Sequence, residues 1–537
     1  MIRTPVLIVG AGPVGLALAL ELAWHGTRSI VVEQDAGTGL VLLAKASTLN
    51  ERTMEFCRRW GLRDAVAAAG FPAEMPRDVV FCTALNGFLL GRQPMACARD
   101  RRPPTGTPEI LRKCPQFRFD PLLAEAVRAT GLVELRYATR CESLEQDEDG
   151  VSVVLANLAA GGMTRVRAEY VVGCDGAGSH VRGALGIDFP GYRLGPSVSA
   201  MVRIPDLGRY HGFGPAERYM FVGSSGTSAS LNAVDGVDLW RFTLLGSAGA
   251  DVRESDLQAA LHRAIGRDDV PIELLRLMYW RRSQCHAERY RQGRVFLAGD
   301  AAHTASPSGA HGLNTGLGDV FGLAWMLDAR LKGWGGAGLL DAHEVERWPV
   351  ALRNAAASTR NFSNWLDTGE TFALLDNSHE GTSERERVGA HMRDAIYEEW
   401  HTAGIALGYR YEGSPLIVPD GSAATPDEVS DYVPTARPGH RAPHAWLADG
   451  RSMLDLFGHG LVLLGFGADA GETDRLERAA AASGTPLSVV AVDDPEIAGL
   501  YARRMVLVRP DGHVAWRGDR LDRDPAALFD TVCGRAG

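Results

Sequence analysis

Two groups of residues, almost three hundred positions apart, have the types and spacing to hold a dinucleotide between them. The first is Pro5-Val-Leu-Ile-Val-Gly10-Ala-Gly12-Pro13-Val14-Gly15, followed by Ser29-Ile-Val-Val-Glu33-Gln34. After a short apolar strand, this glycine spacing predicts a tight turn at Gly10, close approach of a pyrophosphate to the backbone at Gly12, and close helix packing at Gly15. The helix Val14–Trp24 would then aim its N-terminal amides, at the positive end of its dipole, toward a diphosphate. Glu33 ends the second strand, where a carboxylate suits both hydroxyls of an adenosine ribose and repels a 2′-phosphate; the resident nucleotide is therefore not NADP. The second group is Arg294-Val-Phe-Leu-Ala-Gly299-Asp300-Ala-Ala-His303, and between the two lies Cys174-Asp175-Gly176. A glycine fingerprint alone is a weak signal, but the three segments in this order are a strong one.

Length and composition limit what surrounds these residues. A chain of 537 residues has room for about three domains of ~100–200 residues. With 45% hydrophobic and 23% charged residues it reads as a globular chain. The net charge of −10 leaves no basic stripe, which argues against nucleic acid and anionic membranes as partners. No apolar run reaches the ~20 residues of a membrane span. Met1-Ile-Arg-Thr-Pro leads directly into the first strand, so a cytoplasmic protein without a signal peptide is expected. The eight cysteines contain no Cys-x-x-Cys pair, which fits a reducing compartment and argues against a bound metal or a disulfide framework.

The elements that must position the glycines and acids read as one interrupted α/β domain, Rossmann-like, with a β-sheet inserted into it. Residues 1–76 supply its first part, with a helix over Asn50–Trp60. Residues 77–112 read as an irregular excursion on the substrate side. Residues 113–189 are its second part. Here Pro115–Thr130 is a helix with Leu122, Leu123, Ala126 and Val127 on one face, and Leu132–Tyr137, Arg140–Gln146, Val151–Ala156 and Thr164–Ala168 form a small meander before Tyr170–Val172 rejoin the parallel sheet. Residues 190–284 show strand-like alternation and predict a mainly antiparallel substrate-covering sheet. Residues 285–365 resume the nucleotide domain, with a long helix after Gly312; helical segments run over 366–412, and a Pro- and Gly-rich linker spans 413–439. The last part, 440–537, follows a βαβ…ββα order of thioredoxin type: Leu461–Leu464, Thr473–Ser483, Leu487–Val492, Met505–Val508, His513–Trp516 and Asp524–Cys533. Without a Cys-x-x-Cys it is not a disulfide-exchange module, and a packing or dimerisation role, serving a homodimer, is expected.

The three segments resemble the signatures of the single-component, class A flavoprotein aromatic hydroxylases. Within them the chain is similar to the phenol hydroxylase-like branch of dichlorophenol, hydroxyphenylpropionate and polyketide hydroxylases. Pro443-His-Ala-Trp-Leu, Asp455-Leu-Phe-Gly458 and Val508-Arg-Pro-Asp-Gly-His-Val-Ala-Trp516 resemble the motifs of that branch's C-terminal thioredoxin-like domain. The resemblance implies FAD, with NADPH or NADH as a transient reductant, and hydroxylation of a small phenolic substrate by O2 through a flavin C4a-hydroperoxide. It implies that Asp300 of Gly299-Asp300 binds the ribityl chain. In Pro307-Ser-Gly309-Ala-His311-Gly312-Leu313-Asn314 it implies a loop along the isoalloxazine edge, where helix-opening amides would stabilise negative charge on reduced flavin. Lys45 corresponds to a cation near the cofactor, Gln116 to a ribityl contact, and Asp175, Gly176 and Arg182 to the motif serving both FAD and the visiting nicotinamide.

Residues acting on the substrate are less defined. His311 and Pro307 in the flavin loop are the catalytic candidates. Tyr219, Arg241, His211 and Tyr192 are candidates on the sheet, and Arg203, Arg218 and Arg241 could meet a carboxylate. Other readings remain: a halogenase or amine oxidase of the same fold, a pyridine-nucleotide dehydrogenase, or a flavin-binding protein without catalysis. The missing Trp-x-Trp-x-Ile-Pro motif weighs against a halogenase, and the distant Gly-Asp weighs against a dehydrogenase.

Overall fold

The computed structural model describes residues 1–38, 45–245, 252–369 and 371–536; Ala44, which precedes Lys45, lies outside them. The nucleotide domain is built on a sheet ordered Arg291–Gln292, Val295–Leu297, Met163–Gly173, Ile2–Val9, Ser29–Val32, Val133–Arg136. From Val295–Leu297 to Val133–Arg136 every neighbouring pair is parallel. Val6, Leu7, Ile8 and Val31 are fully buried, as a parallel sheet covered on both faces requires. Helix Pro13–Trp24 is buried along most of its length from Gly15 to Ala23 because it lies between this sheet, helix His311–Leu331 and helix Gln116–Ala129.

The inserted sheet has eight strands, ordered His303–Thr304, Glu273–His286, Gly191–Arg203, Leu239–Leu244, Gly226–Ala233, Arg218–Gly223, Val79–Cys82, Leu89–Gln93. Side chains alternate between its faces. Tyr219, Phe221, Trp240 and Phe242 pack with Leu257 and Leu261 of helix Glu254–Ile265. Met220 and Val222 face the other way, onto Trp365, Val388, Met392 and Trp400.

Several elements depart from the sequence reading. Residues 77–112 are not simply irregular: Val79–Cys82 and Leu89–Gln93 extend the inserted sheet. The run Val79-Val-Phe-Cys82 is wholly buried, so it shows no polar alternation to mark it as a strand. Leu132–Tyr137 does not belong to a meander, since its core Val133–Arg136 pairs in parallel with Ser29–Val32. Thr164–Ala168 and Tyr170–Val172 are one strand, Met163–Gly173, which carries the hairpin Thr139–Asp147/Gly150–Asn157 on its first half and the parallel sheet throughout. Helices Glu254–Ile265 and Pro495–Tyr501 were not anticipated. The second had a legible start, because Asp494 accepts from the amides of Glu496 and Ile497 and Pro495 is the first helical residue.

The C-terminal domain has the sheet order Leu487–Ala491, Leu461–Gly465, Met505–Val508, Val514–Gly518, with only the first pair parallel, and is of thioredoxin type. Its Leu461, Leu463, Trp516 and Phe529 belong to the same hydrophobic core as Leu16, Leu20, Trp325 and Leu327 of the nucleotide domain. A buried ion pair and a buried hydrogen bond cross the same boundary. Arg509 donates to Glu346 at 2.5 and 2.9 Å, and Arg52 donates to the Asp511 carbonyl at 2.7 Å. Packing against its own chain is thus what this domain visibly does. Cys533 is buried and has no second cysteine in the domain. No helix among the described residues is long and apolar enough to cross a membrane.

Candidate active site

The glycine turn has the geometry its spacing predicts. Gly10 has φ +106°, and a Cβ there would lie 2.5 Å from the Cys174 carbonyl oxygen; a Cβ at Gly15 would lie 2.0 Å from the Gly10 oxygen. Gly12, by contrast, faces open space. Helix Pro13–Trp24 starts beside it with no side chain capping its amides. Glu33 is half-buried: Oε2 accepts from the Ala11 amide at 2.8 Å and Oε1 from Asp35 at 3.0 Å, which leaves lone pairs for a ribose. Gln34 is exposed.

Gly299-Asp300 reaches this turn through Val14. Gly299 has φ +59°, and a Cβ on it would meet Val14 Cγ2 at 2.9 Å; one on Gly316 would meet the same methyl at 2.8 Å. Two glycines about three hundred residues further along the chain therefore seat the first turn of the first helix. The Asp300 carboxylate meets solvent but is ringed by protein, as at the bottom of a recess. Desolvation raises its affinity for a proton, against the pull of His303 and Lys45. No described residue donates to it. Lys45, itself exposed, also bears on Asp120, whose carboxyl burial pushes up to about 7 while Gln116 donates to it at 3.0 Å.

The loop before the long helix makes a turn in which the Ala310 amide donates to the Pro307 carbonyl at 3.1 Å, with Pro307 exposed at its lip. Gly309 has φ +84°, and Ala310, at φ +56°, opens helix His311–Leu331 without a side-chain cap. Its first amides, at His311, Gly312 and Leu313, have no partner within the helix, and Gly312 borders open space. The Asn314 side chain is fully engaged: it accepts from the Asn50 amide (2.9 Å) and Thr53 (2.7 Å) and donates to the Thr48 and Ala310 carbonyls (3.0 and 2.7 Å).

Some expected contacts belong to the protein instead. Asp175 accepts from Ser179 Oγ at 2.5 Å and from the Val181 amide at 3.0 Å, so it caps a helix, while Gly176 provides the φ of +78° beside it. Arg182 donates to the Ala301 and Ala177 carbonyls, both at 2.8 Å, and lies over Phe189. Both shape the loop next to Gly299-Asp300. His311 is buried behind Gly309, near Asn361, and burial, with Arg353 and Arg360 nearby, lowers it to about 4. At that value it is a weak base, and its position makes it a shaper of the loop. Tyr219 is turned toward helix Glu254–Ile265, and His211 lies not on a strand but in the loop after Leu207–Tyr210. The Tyr219 hydroxyl donates to the Gly214 carbonyl at 2.8 Å, and the two rings pack edge to face beneath helix Glu254–Ile265. Tyr192 is 73% exposed, and Arg203 is paired with Glu273 and Asp238. Arg218 faces the helices Gly338–Leu366 and Tyr397–Trp400, lying over Trp365 and Trp400 and donating to Glu399 at 2.9 Å, and Arg241 stands in the same row of the sheet through Asn232.

A buried hub was missed. Asp319 accepts from the Gly299 amide at 3.1 Å, from His303 Nε2 at 2.6 Å and from Arg347 Nε at 2.9 Å. Burial alone would raise this carboxyl, but His303 and Arg347 outweigh it and hold it well below the usual carboxylate range. Asp319 thereby fixes the turn that presents Asp300. Buried histidines impose a pH dependence: burial lowers His286, His311 and His343 each to about 4. Unfolded histidine titrates near 6.5, so between about 6.5 and 4 the unfolded chain binds more protons and stability falls as pH falls. The thermal midpoint is expected to drop steadily from pH 7 to pH 5. A midpoint that stays flat over that range would contradict the burial of these rings as neutral groups.

The site as a whole fits FAD: an open glycine cradle at a helix N-terminus, a ribose-facing acid, a recessed carboxylate without donors, and free amides at a second helix N-terminus. Comparison with known proteins gives the same direction. An FAD binding domain family matches residues 3–358, and an aromatic-ring hydroxylase C-terminal family matches residues 435–536. The chain is 33% identical to tetracenomycin B2 monooxygenase-dioxygenase of Streptomyces olivaceus, over 99% of this chain and 98% of that one. It is 29% identical to 2,4-dichlorophenol 6-monooxygenase of Delftia acidovorans, over 97% of this chain and 96% of that one. Among solved structures it is similar to chromopyrrolic acid-soaked RebC with bound 7-carboxy-K252c, with a TM-score of 0.93, 40% identity and full coverage of both chains.

Proposed function

The chain belongs to the FAD-dependent aromatic-ring hydroxylases, in the branch related to phenol and dichlorophenol hydroxylases, and on that premise we propose that it inserts one oxygen atom of O2 into a phenolic ring at the expense of NADPH or NADH. The observation that carries this reading is the seating of Gly299 on Val14, which joins the two halves of a flavin site across almost the whole nucleotide domain.

When bound, FAD supplies the electron transfer from the nicotinamide and the activation of oxygen. The chain's own residues do the rest. Gly10, Gly12, Pro13, Val14 and Gly15 present the amides of helix Pro13–Trp24 to the diphosphate, and Glu33 receives the adenosine ribose. Asp300 accepts from the ribityl chain; Gln116 and Lys45 border it from the side. Amides at Gly312, Leu313 and Asn314 stabilise negative charge at the pyrimidine edge, in a loop whose shape Pro307, Gly309 and His311 set. The inserted sheet and helix Gly338–Leu366 cover the ring to be oxidised and keep water from it.

The purified protein is expected to be yellow, with a flavin absorbance spectrum. Phenols should stimulate its NAD(P)H consumption, with hydroxylated product exceeding hydrogen peroxide for the right substrate. A flavin-loaded protein whose NAD(P)H consumption no phenol changes, and which forms no product, would count against the proposal.

A further inference from the structure

One buried cation in the inserted sheet has no counter-charge of its own. Arg282, on strand Glu273–His286, is 3% exposed. Its Nε donates to Ser197 Oγ at 3.3 Å and its Nη1 to Ser306 Oγ at 3.5 Å, both long contacts to neutral groups. No described residue accepts from its Nη2, and it makes no ion pair among the described residues. Phe362 and Trp280 flank the guanidinium at 4.2 and 4.7 Å from their ring centroids. Such faces stabilise a cation but do not neutralise it.

Its surroundings are cationic as well. Arg218 pairs in register with Asn232, and Asn232 with Arg241, so two arginines stand in one row two strands apart on the same face of the sheet. Like charges in such a row destabilise a sheet. The carboxylate that bears on Arg282 is Glu399, which is already taken by Arg218 at 2.9 Å and by the Trp365 indole N–H. Burial and the neighbouring arginines lower Arg282 to about 9, the response expected of a charge without compensation. A buried, uncompensated guanidinium is costly to fold, and this one sits one residue from the flavin loop, since Ser306 precedes Pro307.

We propose that Arg282, assisted by Arg218, anchors a carboxylate carried by the aromatic substrate. The inference rests on the hydroxylase reading above and narrows its substrate class to aromatic acids. The anion would enter between the sheet and Phe362, where Arg218, Trp280 and Phe362 are only partly buried, and its ring would lie along Pro307.

The test uses flavin-loaded enzyme titrated with 1-hydroxy-2-naphthoate and with the matching 1-hydroxy-2-naphthamide, followed by perturbation of the flavin spectrum. The acid is expected to bind about ten- to hundredfold more tightly than the amide, the scale of a charged hydrogen bond. Arg282→Gln should abolish that preference while leaving amide binding unchanged, and without either probe its thermal midpoint should equal or exceed that of the parent. Arg218→Gln, at a less buried position than Arg282, should reduce the preference in part and serves if Arg282→Gln does not fold. A flavin-loaded parent that binds acid and amide equally, or binds neither, overturns the anchor alone; so does an Arg282→Gln enzyme that keeps the preference. A parent that holds no flavin overturns both the anchor and the hydroxylase reading.

Discussion

Asp300→Ala enzyme should purify largely without flavin. The carboxylate stands in a recess with no donor from the described residues, and it is presented there by a turn that Asp319 fixes through the Gly299 amide. A hydrogen bond to such a charged acceptor contributes ~1.5–3 kcal/mol, so its removal should weaken FAD by about ten- to hundredfold. The apoprotein should remain folded, because no described residue relies on Asp300 as an acceptor. The measurement is flavin content after gel filtration together with titration of the apoprotein. Full flavin content in Asp300→Ala would remove Asp300 from the site.

Asp319→Ala should have the larger effect on the fold itself. It would leave the Arg347 guanidinium, which is buried and also donates to the Thr315 carbonyl at 3.0 Å, without its carboxylate. Breaking a buried pair from one side costs about 3–5 kcal/mol, a large part of the stability of most domains. The loss should appear in urea unfolding as a lower midpoint. It should be accompanied by weaker FAD binding, since the Gly299 amide and His303 lose the same acceptor. A variant as stable as the parent would show that the hub is an ornament of the fold rather than its support.

The two cases differ in how visible they were in the sequence. Asp300 could be found because its motif is local: Gly299 and Asp300 adjoin, and the strand before them is apolar. Asp319 lies in Gly316-Leu-Gly-Asp-Val-Phe-Gly-Leu-Ala-Trp325, where a lone acid in an apolar helix was the available sign of a paired buried charge. Its partner Arg347 is distant in sequence, and nothing local links the two. The same holds for Arg282. The period-2 alternation of the inserted sheet was legible, but which face each residue occupies depends on pairings such as Asn232 with Arg241. That is how Tyr219 could be chosen and Arg282 passed over. Val79–Cys82 escaped because a fully buried strand carries no alternation at all.

The core shared by the first helix and the last domain has a consequence for synthesis. Helix Pro13–Trp24 is synthesised well before helix His311–Leu331, Leu461 and Trp516, yet it packs on that helix and shares its core with those residues. Domains usually fold as they emerge, N-terminal first, but here that order is denied. The nascent chain must carry an apolar helix through the synthesis of several hundred residues before its cover is complete, and it cannot retain cofactor until Asp300 has been synthesised and seated. Docking of the C-terminal domain, which supplies the last part of this core, is therefore the step at which the apolar helix is finally covered, and the yield in a cell should follow chaperone supply more closely than flavin supply.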